Sequence, residues 1–207
     1  MQDQKQKDII IKASLAFKRY GIKSVTMDDL CREIGISKKT LYQLFANKDE
    51  LVELVVLAES TNIVELFKEK TSLSENAIDT LLSVSIEVSK LISDISPAYS
   101  YDLKKYYPEL FERHLESKKR ISYGLIRDNI MHGINQKLYR AEIETDMVAH
   151  FYIGNIETVM SAENIFCSEY PKKDMFKIMV ENHIRSIATE KGITYFENRL
   201  KTLNLNL

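Results

Sequence analysis

Residues 26–51, TMDDLCREIGISKKTLYQLFANKDEL, decide the fold by predicting two short helices, a tight turn and the start of a third helix. Thr26 has the hydroxyl of an N-cap, and Asp29, three positions later, can reach back to its amide. Apolar residues then recur at the spacing of one helical face, at Met27, Leu30, Cys31 and Ile34. Gly35 suits a left-handed helix end, and Ser37 caps the next helix. Two short helices joined by a glycine-containing turn indicate a helix-turn-helix.

The second helix of this motif has one apolar side and one polar side. Leu41 and Phe45 are expected to face the core. The residues left on the outer side are Lys38, Lys39, Thr40, Tyr42 and Gln43. Lysines can bind phosphate, hydroxyls can bind phosphate or base edges, and a glutamine amide can pair with adenine. This face is therefore predicted to read DNA, although a solvated face without a partner would have the same composition.

A third helix begins after Asn47, the expected N-cap, with Glu50 at the capping-box position. Lys48 lies in its first turn, where a cation interacts unfavourably with the helix dipole and where a DNA phosphate would compensate the charge. The predicted DNA-binding residues are Thr26, Ser37, Lys38, Lys39, Thr40, Tyr42, Gln43 and Lys48. Among them, Thr26 and Ser37 could serve only as helix caps.

The run from Ile9 to Leu54 resembles the N-terminal domain of the TetR family of transcriptional regulators. The resemblance rests on the Gly35-Ile36-Ser37 turn, the Thr40-Leu41-Tyr42 core of the second motif helix and the link from Phe45 to Leu51. It implies a homodimer that places two recognition helices about one DNA turn apart, ~34 Å, on a palindromic double-stranded operator. It also implies that an unknown small-molecule effector releases the DNA, and a repressor is the expected role.

An alternative from a different class is a co-regulator of this fold that acts through protein contacts and has little affinity for DNA. Lys38, Lys39 and Lys48 argue against it, because cations on the motif suit a phosphate backbone. Salt-dependent binding to DNA of mixed sequence would separate the two functions.

Composition favours an intracellular protein without a membrane partner. The formal net charge of −1 and a pI near 6.5 argue against a generally basic nucleic-acid coat but allow a local basic face. Cys31 and Cys167 lie far apart, and Cys31 is on an apolar stripe, which is typical of a buried free thiol in a reducing cytosol. The polar start, MQDQKQKD, has no signal-peptide core, and no stretch approaches about 20 apolar residues. We therefore expect a cytoplasmic location.

The chain is predicted to be all-α, because its six glycines and three prolines punctuate helical patterns and no period-2 alternation persists. We expect a three-helix, helix-turn-helix DNA-binding domain at residues 1–50 and a helical effector-binding and dimerisation domain at residues 51–207. The first helix has a predicted apolar face that comprises Ile9, Ile10, Ala13, Ala16, Phe17 and Tyr20. Ser74 is the expected cap of the helix that follows the break at residues 71–76.

The segments 145–170 and 172–189 predict two helices that are apolar over more arc than a single buried face. Ile165 and Phe166 belong to the first of them. A second copy of the chain could cover this surface through a symmetric four-helix interface. The predicted interface residues are Ile156, Val159, Met160, Met179, Val180 and Ile184. The terminal segment to Leu203 predicts a short final helix.

Aromatic residues with a few amides could line an effector cavity in the C-terminal domain. The predicted ligand-binding residues are Tyr99, Tyr101, Tyr106, Phe111, Tyr123, Asn129, Phe151, Tyr152 and Asn155. The alternative is that these side chains fill a helical core. Asn155 could equally form a hydrogen bond across the dimer interface.

Motifs of catalytic and metal sites are missing from the sequence. The four histidines, His114, His132, His150 and His183, have neither HExxH nor Cys/His spacing. There is no Gly-x-Ser-x-Gly, P-loop or dinucleotide fingerprint. We therefore expect no enzyme activity, no metal and no cofactor.

Overall fold

The computed structural model describes residues 2–93, 95–160 and 170–202, and the regular structure in these ranges is helical. The helices, in chain order, are α1 Gln2–Tyr20, α2 Met27–Ile34, α3 Lys38–Leu44, α4 Lys48–Leu73, α5 Ala77–Ser93, α6 Pro97–Tyr106, α7 Pro108–Asn135, α8 Thr145–Met160, α9 Lys172–Ile187 and α10 Glu190–Thr202. An isolated β-bridge joins Tyr139 to Ala188. The all-α prediction is confirmed.

The start of α5 differs from its prediction, because Asn76 rather than Ser74 caps the helix. The Asn76 Oδ1 accepts the amide hydrogens of Ile78 and Asp79 at 3.0 and 3.1 Å. An asparagine amide oxygen satisfies the first free N–H groups of a helix as well as a serine hydroxyl does. The predicted positions Ile165, Phe166, Cys167 and Leu203 lie outside the described residues.

The chain divides into two compact units that share α4 and α7 between them. Unit 1 comprises Met1–Asn62 and Asp94–Lys118, and unit 2 comprises Ile63–Ser93 and Lys119–Leu207. The unit with the helix-turn-helix thus also includes residues 51–62 and 94–118. The functional division at residue 50 stays a prediction.

The core of unit 1 joins the first three helices to α6. Phe17, Leu30 and Leu41 have no exposed surface, and Tyr99 and Leu103 of α6 belong to the same apolar cluster. Full burial of such side chains stabilises a fold by about 1.5–3 kcal/mol each. Tyr20, which the helical pattern placed on the buried face of α1, is instead 49% exposed at the C-terminal end of the helix.

In unit 2, α9 packs against both α5 and α8. A buried carboxylate also attaches α10 to the start of α5. Asp79 accepts hydrogen bonds from Arg199 Nε at 2.7 Å, from the Tyr195 hydroxyl at 2.5 Å and from Asn76 Nδ2 at 3.1 Å. Because a buried carboxylate is costly unless it is paired, these contacts specify the position of the C-terminal helix.

The broad apolar arc of α8 and α9 is largely covered within unit 2, and four of the six residues predicted for a dimer interface are buried there. Val180 and Ile184 have no exposed surface, and Val159 and Met179 are at least nine-tenths buried. The partly buried members of the set are Ile156 and Met160. Periodicity identified the apolar positions correctly but could not show that α5 of the same chain covers α9. The apolar side chains that remain exposed on these two helices are Met147, Phe151 and Ile178.

Candidate nucleic-acid interface

The first motif helix, α2, is held by a complete capping box. Thr26 Oγ1 accepts the amide hydrogen of Asp29 at 3.1 Å, and Asp29 Oδ2 accepts that of Thr26 at 2.9 Å. The side-chain and backbone hydrogen bonds from Thr26 lower the pKa of Asp29. At the other end, Gly35 has φ 77°, a left-handed conformation that favours glycine, and donates its N–H to Cys31 at 3.0 Å. The predicted cap and turn are confirmed.

Helix α3 begins at the predicted cap and presents its polar side to solvent. Ser37 Oγ accepts the amide hydrogen of Thr40 at 3.1 Å. Leu41 is fully buried, whereas the Tyr42 ring is 50% exposed. Lys38, Lys39 and Gln43 are also exposed, and Thr40 is half-buried. The structure therefore brings the predicted base-facing residues together on one accessible helix face.

Two of the predicted phosphate-binding lysines already have partners. The Lys38 ammonium lies 2.6 Å from the Asp28 carboxylate, whose hydrogen bond and charge raise the pKa of Lys38. Lys48 is half-buried, and its ammonium donates to the Ile22 carbonyl at 2.5 Å. Burial and the nearby charge of Lys23 lower the pKa of Lys48. Since an ammonium has three donors, Lys48 keeps two for a phosphate.

The predicted ligand-binding residues are divided between the two units. Tyr99, Tyr101, Tyr106 and Phe111 belong to unit 1, and Tyr123, Asn129, Phe151, Tyr152 and Asn155 belong to unit 2. Asn129 is buried and donates to the Ala77 carbonyl at 2.9 Å, as a structural residue does. The Tyr123 hydroxyl donates to Asp146 at 2.9 Å. Tyr101 is 59% exposed on the surface of α6.

Three of these residues, Phe151, Tyr152 and Asn155, line a groove of about 500 Å³ between α8 and α9. The groove also contains His183, whose ring lies 4.4 Å from that of Tyr152. His183 is 8% exposed, and its Nε2 has no hydrogen-bond partner within the described structure. Burial lowers the pKa of His183 to about 4. The position of His183 on the apolar stripe of α9 is the sequence signal that corresponds to this burial.

Tyr99 belongs to a buried polar cluster that the sequence did not indicate. Its hydroxyl donates to Glu59 at 2.9 Å, and the same carboxylate is paired with Lys18 at 3.1 Å and His114 at 3.4 Å. Burial alone would raise the pKa of Glu59, but the hydrogen bond from His114 and the Lys18 ammonium lower it to about 2. The four members of the cluster come from four different helices, so no local pattern could have revealed them.

Among the described residues, no group of three or more histidine, cysteine or acidic side chains could hold a metal ion. None of the helices described is long and apolar enough to cross a membrane. The polar face of α3, where Lys39, Tyr42 and Gln43 are exposed, is the best-defined candidate site.

Comparison with known proteins agrees with this geometry. Residues 9–55 match the family described as bacterial regulatory proteins, tetR family. The chain is 30% identical over 173 residues to YvaF, an uncharacterized HTH-type transcriptional regulator of Bacillus subtilis strain 168, and the alignment covers 82% of this chain and 85% of that protein. The similarity to this regulator therefore extends well beyond the motif.

Solved structures with the same fold include a transcriptional regulator from Cytophaga hutchinsonii, with a TM-score of 0.72, 20% identity and coverage of 89% of this chain and 99% of that chain. A gamma-butyrolactone receptor has a TM-score of 0.64 and 18% identity, with coverage of 95% of this chain and 94% of that chain. These two likenesses concern the fold. The matched family consists of transcriptional regulators rather than enzymes. The chain belongs to the TetR family and is a DNA-binding transcriptional regulator with an N-terminal helix-turn-helix.

Proposed function

We propose that this regulator is a repressor that binds a palindromic operator as a homodimer and is released by a small molecule. The observation that carries the DNA-binding part is the geometry of α3, where Leu41 anchors the helix and Tyr42 and Gln43 are exposed together on its outer side. A short helix with a buried anchor and a polar outer face suits insertion into the major groove.

The roles of the interface residues follow from their positions. Tyr42 and Gln43, with Lys39 and Thr40, are proposed to contact base edges and adjacent phosphates in the major groove. Thr26, Ser37, Lys38 and Lys48 are proposed to bind phosphates. The two hydroxyl residues stand at helix N-termini, where backbone N–H groups and the helix dipole favour an anion.

Dimerisation is proposed through the exposed side of α8 and α9. Phe151 is 70% exposed and Ile178 is 53% exposed, and both line the groove in which His183 is buried. A second copy related by a two-fold axis would cover these side chains, because in such an interface the same surface of each subunit contacts its mate. This assignment keeps the helix pair predicted from the sequence but uses different residues on it.

A small-molecule response is proposed from family membership and from one structure with the same fold, which is a gamma-butyrolactone receptor. Of the residues predicted to contact the effector, Phe151, Tyr152 and Asn155 keep that proposed role, because they line a common groove. A thermal-shift screen of small molecules, followed by measurement of DNA release, would test this part directly.

The test of DNA binding is a salt titration on duplexes of mixed sequence, followed by selection from a random DNA library. If a dimer neutralises six to ten phosphates, its affinity should fall roughly 10³- to 10⁵-fold between 50 and 200 mM salt. Selection should then return a sequence with two-fold symmetry. A flat salt response would instead favour a co-regulator that acts through protein contacts.

A further inference from the structure

A second group of side chains, which carries two positive charges, lies beside the helix-turn-helix and outside the residues predicted to bind DNA. It consists of Lys23, in the turn between α1 and α2, together with Tyr101, Lys105 and Tyr106 of α6. The ammonium of Lys23 lies 4.9 Å from the centre of the Tyr106 ring, and that of Lys105 lies 5.4 Å from the same centre. We name these four residues of unit 1 the lysine–tyrosine patch.

The patch keeps its positive charge. Lys105 Nζ donates to the Tyr101 hydroxyl at 2.8 Å. Across the described residues, neither Lys23 nor Lys105 forms an ion pair with a carboxylate, in contrast to Lys38 of the motif. A tyrosine ring attracts an ammonium without neutralising it. Since Tyr101 and Tyr106 are 59% and 44% exposed, solvent and a partner can reach the patch.

The patch is joined to the motif through a single turn. The amide of Lys23 donates to the buried carboxylate of Asp102 at 2.7 Å, which fixes the turn to α6. The carbonyl of the preceding residue, Ile22, is the acceptor for Lys48. Lys23 therefore follows directly the residue that positions a proposed phosphate-binding lysine, and it precedes the Thr26 cap by three positions.

We propose that the lysine–tyrosine patch binds backbone phosphates of the operator beyond those reached by α2 and α3. The proposal rests on the proposed DNA-binding function. Duplex DNA carries one negative charge per ~1.7 Å of its axis, so cations next to the motif meet further phosphates. Within the motif, Lys38 has a competing carboxylate and Lys48 a competing carbonyl. The ammonium groups of Lys23 and Lys105, by contrast, form no ion pair with a carboxylate of the residues that the structure describes. Such contacts increase affinity and fix the register without reading bases.

A salt titration of binding, followed by fluorescence anisotropy, tests the proposal with the full chain and a labelled duplex of mixed sequence. The variant is Lys23→Gln/Lys105→Gln. The matched control, Lys173→Gln/Lys191→Gln, removes the same charge from exposed positions of unit 2. Each phosphate that the protein no longer neutralises should lower the slope of log affinity against log salt by about 0.9, so the slope of the patch variant should fall by about two per protomer. The control should keep the wild-type slope.

The outcomes separate this proposal from the proposed function. A wild-type protein that binds no duplex would overturn DNA binding itself. A steep wild-type slope that the patch variant shares would overturn only the role of the patch. Tyr106→Ala, which keeps both lysines, should weaken binding less than the double variant, because the ring orients the charges and carries none. A greater weakening by Tyr106→Ala would mean that packing of α6, not the lysines, supports DNA binding, and would also overturn the proposal.

Discussion

The protein should lose stability in mild acid, and replacing His183 by leucine should abolish most of that loss. The ring is buried against Tyr152, and its Nε2 has no partner within the described structure. Burial lowers the pKa of His183 from 6.5 to about 4, because the imidazolium would lose its hydration. Leucine fits the same apolar surroundings and cannot bind a proton, so the variant should be nearly insensitive to pH in this range.

The magnitude follows from the difference between the two states. Between pH 6.5 and about 4 the unfolded chain binds a proton at His183 that the folded chain does not, so the free energy of unfolding falls as the pH falls. At 1.36 kcal/mol per pKa unit, the full loss is about 3 kcal/mol. Carboxylates with a lowered pKa, such as Glu59, begin to destabilise the fold only near and below their ordinary value of 4.5. In the interval from pH 6.5 to 4.5 these carboxylates therefore contribute little to the loss of stability.

Urea unfolding followed by circular dichroism, at one protein concentration, measures this effect. Wild-type protein should lose roughly 2–3 kcal/mol across the interval, and His183→Leu should lose little. His132→Leu, at an exposed position on α7, serves as the matched control and should keep the wild-type loss. An equal loss in wild type and His183→Leu would refute the reasoning, because it would mean that His183 does not stay neutral in the folded state.

Five further substitutions, in three experiments, test other parts of the structure. Phe151→Asp and Ile178→Asp should give folded monomers by light scattering, since both side chains are exposed in a single chain; folded dimers would place the interface elsewhere. Asp79→Ala should lower the free energy of unfolding by roughly 2–4 kcal/mol, because it removes a buried carboxylate and leaves its partners Asn76, Tyr195 and Arg199 unpaired, and a change below about 1 kcal/mol in urea unfolding would contradict its role. Gln43→Ala should alter the base preference in library selection while Lys48→Ala weakens binding to all sequences alike, and an unchanged Gln43→Ala motif would remove that residue from base readout.

The local structure of the helix-turn-helix was predictable from the sequence. The caps at Thr26 and Ser37 and the left-handed Gly35 depend on hydrogen bonds between residues three or four positions apart. Such bonds form wherever the residue types and spacing are right, so a short stretch contains the information. The exposed face of α3 follows from the same periodicity, because burial of Leu41 determines which side is left outside.

Contacts between distant segments could not be predicted in this way. Asp102 is 79 positions from Lys23, and Asp79 is 120 positions from Arg199. A lone aspartate in a helix gives no signal of which amide or guanidinium it will meet, because the partner is chosen by packing. The lysine–tyrosine patch and the cluster around Glu59 are invisible in the sequence for the same reason.

The sequence by itself determined that the described chain is all-α, that residues 26–51 contain a helix-turn-helix, and which side of α3 is polar. Helical periodicity and capping are short-range effects that depend on residues a few positions apart in the sequence. Only the tertiary structure decided which apolar surfaces are covered by other helices of the same chain. Val180 and Ile184 have the same hydrophobic character as Ile178, yet they are fully buried in their own unit and Ile178 is 53% exposed. Burial of an apolar side chain is favourable against any apolar neighbour. Whether a side chain of α9 is buried in the chain's own core or left exposed for a second copy therefore depends on how α5 and α8 pack around α9.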